Sequence, residues 1–118
     1  MSEDRLKERT KNFSLRVIKL VASLPRGITA DVIGKQIIRS GTSVGANYRA
    51  ACRAKSQADF IYKMTIVEEE ADESIFWMEL LVESKLVNTE HLADLMSEAN
   101  QIVAMVVSSI KTAKLNRK

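Results

Sequence analysis

The side chains able to do chemistry are few, and their spacing excludes most reactions. His91 is the lone histidine, and Glu90 directly precedes it. A general base or a hydrolytic triad would have to use it, yet it stands in the first turn of a helix, where a solvated surface residue is the simpler reading. Cys52 is the lone cysteine. It has no histidine at a recognisable spacing, so it reads as a small buried apolar group. The run Glu68-Glu69-Glu70-Ala71-Asp72-Glu73 is the richest in carboxylates. Di-metal helical bundles take Glu-x-x-His pairs from two helices, and one histidine with no glutamate three positions before it cannot supply them. Gly41-Thr42-Ser43-Val44-Gly45 lacks the lysine and the preceding strand of a phosphate loop. The sequence thus predicts no catalytic residue, no metal site, no cofactor and no small-molecule substrate.

Charge carries more information. Residues 1–55 hold twelve Lys and Arg against four acids, residues 56–98 hold two against eleven, and residues 111–118 add four basic side chains, for an overall +3. Such segregation fits a basic surface for polyanions, or basic helices packed beside an acidic one and largely cancelled by it. Arg16 and Lys19 on the first helix, and Lys35, Arg39, Arg49, Arg53 and Lys55 on the second, are the residues expected to meet RNA or DNA phosphates. Aromatic side chains for base stacking are missing among them apart from Tyr48.

The elements that position these residues are helices. A chain of 118 residues, 46% hydrophobic and 28% charged with one proline and four glycines, has room for one domain with one core. No stretch approaches the roughly 20 apolar residues of a membrane span. The charged N-terminus lacks a signal core, which predicts a cytoplasmic protein. Apolar residues recur at steps of three and four over about 3–24, 30–55, 57–86 and 90–114. Pro25 stops the first helix. Thr29, Ser56 and Thr89 are placed to cap the next three, Ser56 together with Asp59 in a capping-box pattern. Short loops between them predict an all-α, antiparallel, up-down-up-down four-helix bundle.

Two of the helices are unusual. The second carries Gly34, Gly41 and Gly45 on one side, which predicts either close approach of a neighbouring helix or a kink near Gly41. Beside its apolar line Ile33, Ile37, Val44, Tyr48 and Ala51 runs a polar stripe of Gln36, Ser40, Ser43 and Asn47, which needs partners. The third helix has an ordinary core stripe, Phe60, Met64, Val67, Ala71, Ile75, Met78 and Val82, and a second greasy face with Tyr62, Ile66, Trp77 and Leu80 around Glu70 and Glu73. A helix apolar on two sides touches something on two sides, so the second face reads as a subunit interface anchored by Trp77.

The string Gln36-Ile37-Ile38-Arg39-Ser40-Gly41-Thr42-Ser43-Val44-Gly45-Ala46-Asn47-Tyr48, followed by Ser56, Asp59-Phe60, Glu70-Ala71-Asp72-Glu73-Ser74 and Phe76-Trp77-Met78, resembles the four-helix bundle proteins encoded in intervening sequences of bacterial 23S rRNA genes. The resemblance spans nearly the whole chain. It implies a four-helix bundle, a homopentamer and no assigned reaction. It carries over Gln36, Arg39, Ser40, Ser43, Asn47, Glu70, Glu73 and Trp77, read as a buried polar network tying the second helix to the third. Ala50 and Glu69 depart from the family pattern, in which Glu and Lys are frequent at those positions. A more distant likeness, to accessory proteins of the reverse transcriptases of diversity-generating retroelements, implies nucleic acid as a partner. The alternative is a protein-interaction scaffold in which the same charges serve subunit contacts.

Overall fold

The structure, a computed structural model, describes residues 2–116. Four helices follow one another: α1 (Glu3–Ala22), α2 (Ile28–Cys52), α3 (Gln57–Glu83) and α4 (Thr89–Leu115). Each packs on the next in sequence and α4 closes against α1, while the diagonal pairs α1/α3 and α2/α4 make no direct approach. The result is an antiparallel bundle with principal extents of 51 × 21 × 20 Å. Among the described residues no helix is long and apolar enough to cross a membrane.

The helix ends follow local chemistry, and several differ from the sequence reading. Ser2 caps α1, its hydroxyl accepting from Arg5 N at 3.2 Å, with Glu3 and Asp4 complementing the positive helix end. α1 stops at Ala22 rather than Leu24, because the residue before a proline is disfavoured in the α conformation. α2 begins at Ile28, ahead of Thr29, because Gly27 at φ 143° turns the chain into the helix where a side chain would be strained. It ends at Cys52, short of Lys55, since Ser56 must be extended to cap α3. There the Ser56 hydroxyl accepts from Asp59 N at 3.1 Å, and the Asp59 carboxylate accepts from Lys55 N, one residue before the cap, also at 3.1 Å. Asn88, not Thr89, precedes α4.

α3 ends three residues earlier than the apolar pattern predicts. Lys85 takes φ 65°, and the N–H groups of Lys85 and Leu86 return to the carbonyls of Val82 and Leu81, each at 3.0 Å. This is the bonding of a Schellman closure, with lysine where glycine is usual.

The α2 line Ile33, Ile37, Val44, Tyr48 and Ala51 is buried, facing Phe13 and Val17 of α1 and Met64, Val67, Ala71 and Met78 of α3. In α3 the buried set rotates by about one position, taking Ile61, Ser74 and Leu81 fully inside and leaving Phe60, Ile75 and Val82 packed at its margin. The three glycines of α2 all face α1, and the helix runs through them unbroken, so close approach rather than interruption explains them. A hydrogen bond from Ser14 Oγ to the Gly41 carbonyl, 2.9 Å, crosses the same seam.

Candidate functional site

The polar stripe of α2 divides where it meets α3. Arg39 reaches across the seam and donates to Glu70 at 3.0 Å and to Glu73, while its Nε lies 3.5 Å from Gln36 Oε1. Trp77 Nε1 donates to the same Glu73 carboxylate at 3.0 Å. The Trp77 donor and the Arg39 guanidinium hold Glu73 below the usual carboxylate range, and Glu73 in turn raises Arg39. One turn on, the buried hydroxyls of Ser40 and Ser74 meet at 2.9 Å, and Ser74 also donates to the Glu70 carbonyl. Ser74 is a member of the polar seam that sequence reading missed.

Ser43 and Asn47 do not join this seam. The Asn47 amide is satisfied by the Ser43 carbonyl on its own helix, 2.9 Å away, so neither side chain bonds to α3. Arg39, also expected to meet phosphates, has its charge engaged by two carboxylates.

The remaining six cations of the expected phosphate surface are exposed and make no ion pair among the described residues, but they form more than one group. Lys35, Arg49 and Arg53 lie along the outward side of α2, opposite its apolar line. From Lys35 to Arg49 the helix rises about 21 Å, and Arg53 is its C-cap. Lys11 of α1, absent from the sequence reading, joins Arg49 across a shallow groove floored by Ser14, Gly45 and Ala46. Lys55 follows α2 in the loop. Arg16 and Lys19 instead line a groove between α1 and α4 with His91. Arg9, which the helical wheel places on one side of α1 with Arg16 and Lys19, is bonded to Glu98 at 3.0 Å and to Gln101 at 2.9 Å on α4.

On α3 the outward apolar face exists, but its members differ in exposure. Tyr62 is 65% exposed and Phe76 50%, whereas Ile66, Trp77 and Leu80 are half-buried. Trp77 packs against the core margin with its indole N–H tied to Glu73, so it is a wall of the polar seam more than a projecting anchor. Phe76, its ring centroid 5.1 Å from that of Trp77, projects instead.

Cys52 is half-buried beside Tyr48, and burial raises both side chains above their ordinary values. No group of three His, Cys, Asp or Glu side chains among the described residues is gathered as a metal site would require.

Fold and surface together define a four-helix bundle with a bonded Arg-Glu-Trp seam between α2 and α3, a basic α2 exterior and an aromatic α3 exterior. The chain belongs to the 23S rRNA-intervening sequence protein family, whose model matches residues 3–108. It is also similar to a crystallised protein of unknown function from the S23 ribosomal protein family of Bacteroides thetaiotaomicron. The two are 36% identical, with a TM-score of 0.88 over 94% of this chain and 99% of that one. No curated protein matches.

Proposed function

We propose that this chain is a non-enzymatic, self-associating bundle that binds the phosphates of RNA or DNA through the exterior of α2. The observation that carries the reading is that Lys35, Arg49 and Arg53 share that exterior with no carboxylate within ion-pairing distance among the described residues, while Arg39, the α2 cation nearest α3, is neutralised. With Lys11 and Lys55 they make a stripe suited to backbone contacts and carry no groups for reading bases. Self-association is assigned to the α3 exterior, Tyr62, Ile66, Trp77 and Leu80 with Phe76 added, and the family resemblance implies five copies.

The test is binding of the purified protein to labelled rRNA fragments and to random RNA across a salt series, with the oligomer mass measured on the same samples. Five phosphate contacts predict a slope of log affinity on log salt of about −3.5 to −4.5. Charge reversal at Arg49 and Arg53 is expected to abolish binding and leave the mass unchanged. If reversal breaks the oligomer instead, or if RNA is ignored at low salt, the arginines serve assembly and the protein is an interaction scaffold.

A further inference from the structure

The exterior of α2 carries charge but no aromatic ring on which a base could stack. Phe13 of α1 and Tyr48 of α2 are buried, and the other four aromatic side chains, Phe60, Tyr62, Phe76 and Trp77, all belong to α3. Tyr48, the aromatic that falls among the cations in sequence, is therefore unavailable to a ligand. The cations also form two groups. Lys35 stands towards the start of α2, while Arg49 and Arg53, with Lys11 across the shallow groove, stand at its end. With Arg39 turned to Glu70 and Glu73, the outward side between the groups holds the small residues Thr42 and Ala46. Between Asp31 and Asp59 the sequence has no acid.

We infer that the ligand of this surface is a nucleic-acid duplex lying across α2, with one strand's phosphates at Lys35 and the other's at Arg49, Arg53 and Lys11. The inference rests on the phosphate binding proposed above and names the form of nucleic acid that the same surface takes. Proteins that hold single strands combine a cationic groove with aromatic platforms for the bases. A surface of charge alone lacks that attraction and depends on counterion release, which is greater per contact on a duplex, where two strands place a phosphate about every 1.7 Å of axis. A flexible strand must also be ordered to follow cations fixed on a helix, whereas a duplex arrives with its phosphates in place. The rise of about 21 Å from Lys35 to Arg49 exceeds the roughly 12 Å width of a B-DNA major groove, so long side chains at its two ends reach both banks. The wide, shallow minor groove of an A-form RNA duplex offers two banks as well. Thr42 and Ala46 let the helix come close over the groove between them. Asp31, one turn before Lys35, and Glu8, one turn before Lys11, are exposed carboxylates that repel phosphate and end the contact there.

Four labelled probes test this on the full chain: an RNA duplex of about two helical turns, roughly 20 base pairs, the DNA duplex of the same sequence, and one unpaired strand of each. At low salt each duplex is expected to bind about tenfold tighter than its strand, with a steeper salt slope, about −0.9 against −0.7 per contact. Comparing the two duplexes distinguishes the A-form from the B-form as the source of the two banks. Ala46→Trp keeps every charge, adds a stacking ring and obstructs the approach between the banks. It is expected to weaken duplex binding about tenfold and to maintain or strengthen strand binding. Circular dichroism checks helicity, and if that variant loses it, Lys35→Gln removes one bank instead and is expected to flatten the duplex salt slope by about 1. Strands bound as tightly as duplexes, or duplex binding that a folded Ala46→Trp variant leaves intact, overturn the duplex reading while phosphate binding stands. Four probes ignored at low salt overturn phosphate binding and this inference with it.

Discussion

A methyl group placed on Gly41 of α2 would stand 2.8 Å from both γ-carbons of Val17 in α1. Val17 is fully buried and β-branched, with little rotamer freedom to yield. Gly41→Ala gains about 1 kcal/mol of helix propensity and forces an overpacking cost of about 1–3 kcal/mol, so it is expected to destabilise. At Gly34 the new methyl would meet Val21 Cγ1 at 3.3 Å and a terminal Leu24 carbon at 3.4 Å, both on half-buried side chains near the helix end. Gly34→Ala is therefore expected to be neutral or mildly stabilising. Thermal melts of the two variants check the contrast, and equal melting temperatures would show that the α1–α2 seam is not the tight one.

Trp77, the single tryptophan of the chain, reports on Glu73 through the hydrogen bond they share. Glu73 is held below the usual 4.5 by the Trp77 N–H and then by Arg39. A carboxyl depressed by folding contributes stability that is present above its unfolded pKa and lost as pH falls through the folded one. Tryptophan emission is expected to titrate with a midpoint below pH 4.5, ahead of or together with acid unfolding. Glu73→Gln should remove that titration, and Arg39→Gln should raise its midpoint while the indole donor remains. A midpoint at or above 4.5 in the parent protein would contradict the bonded seam.

The four helices were legible because three of them bury one continuous stripe at helical spacing: the line Ile33, Ile37, Val44, Tyr48 and Ala51 needs no tertiary information to be seen. α3 was less legible for a physical reason. It is apolar on two sides, so its inner face could be set one position off, and only the packing against α2 chooses Ile61, Ser74 and Leu81 over Phe60, Ile75 and Val82. Helix ends erred where the backbone, not a side chain, does the capping, at Gly27, Asn88 and Lys85. The site divided similarly. Gln36, Arg39, Ser40, Glu70 and Glu73 share a seam that spacing within each helix outlines, whereas Asn47 was satisfied locally and Arg9 found a partner 89 positions away, for which no local pattern exists.

Lys85 gives a direct test of the α3 closure. At φ 65° a lysine is strained by about 1–2 kcal/mol, partly offset in any glycine variant by the extra entropy glycine loses on folding, about 0.5–1 kcal/mol. Lys85→Gly is expected to stabilise by about 0.5–1 kcal/mol, and Lys85→Val, β-branched and poorly tolerated there, to destabilise by about 1 kcal/mol. Melting temperatures should rank glycine above lysine above valine, with about 4 °C for each kcal/mol in a chain of this size. Any other order would mean that the turn does not hold the left-handed conformation.

Arg9 and Glu98 bind the weakest seam of the bundle. α1 and α4 approach each other less than any other neighbouring pair, and across that gap the Arg9 guanidinium is engaged by the Glu98 carboxylate and the Gln101 side-chain oxygen. Both members of the pair are mostly sheltered, with side chains 23% and 19% exposed, which places it between surface pairs, at about 0.2–1 kcal/mol, and buried pairs whose breaking costs about 3–5 kcal/mol. Arg9→Ala is expected to cost about 1–2 kcal/mol. Because α1 has no other long polar tie to α4 among the described hydrogen bonds, the loss should fall on α1 more than on the α2–α3 pair. Amide exchange should then quicken in residues 3–22 while the centres of α2 and α3 keep their protection. Arg9→Glu alone would set two carboxylates together and destabilise further, and Arg9→Glu with Glu98→Arg should recover at least half of that loss. A double variant no more stable than Arg9→Glu would show that shape, and not charge, joins the two helices.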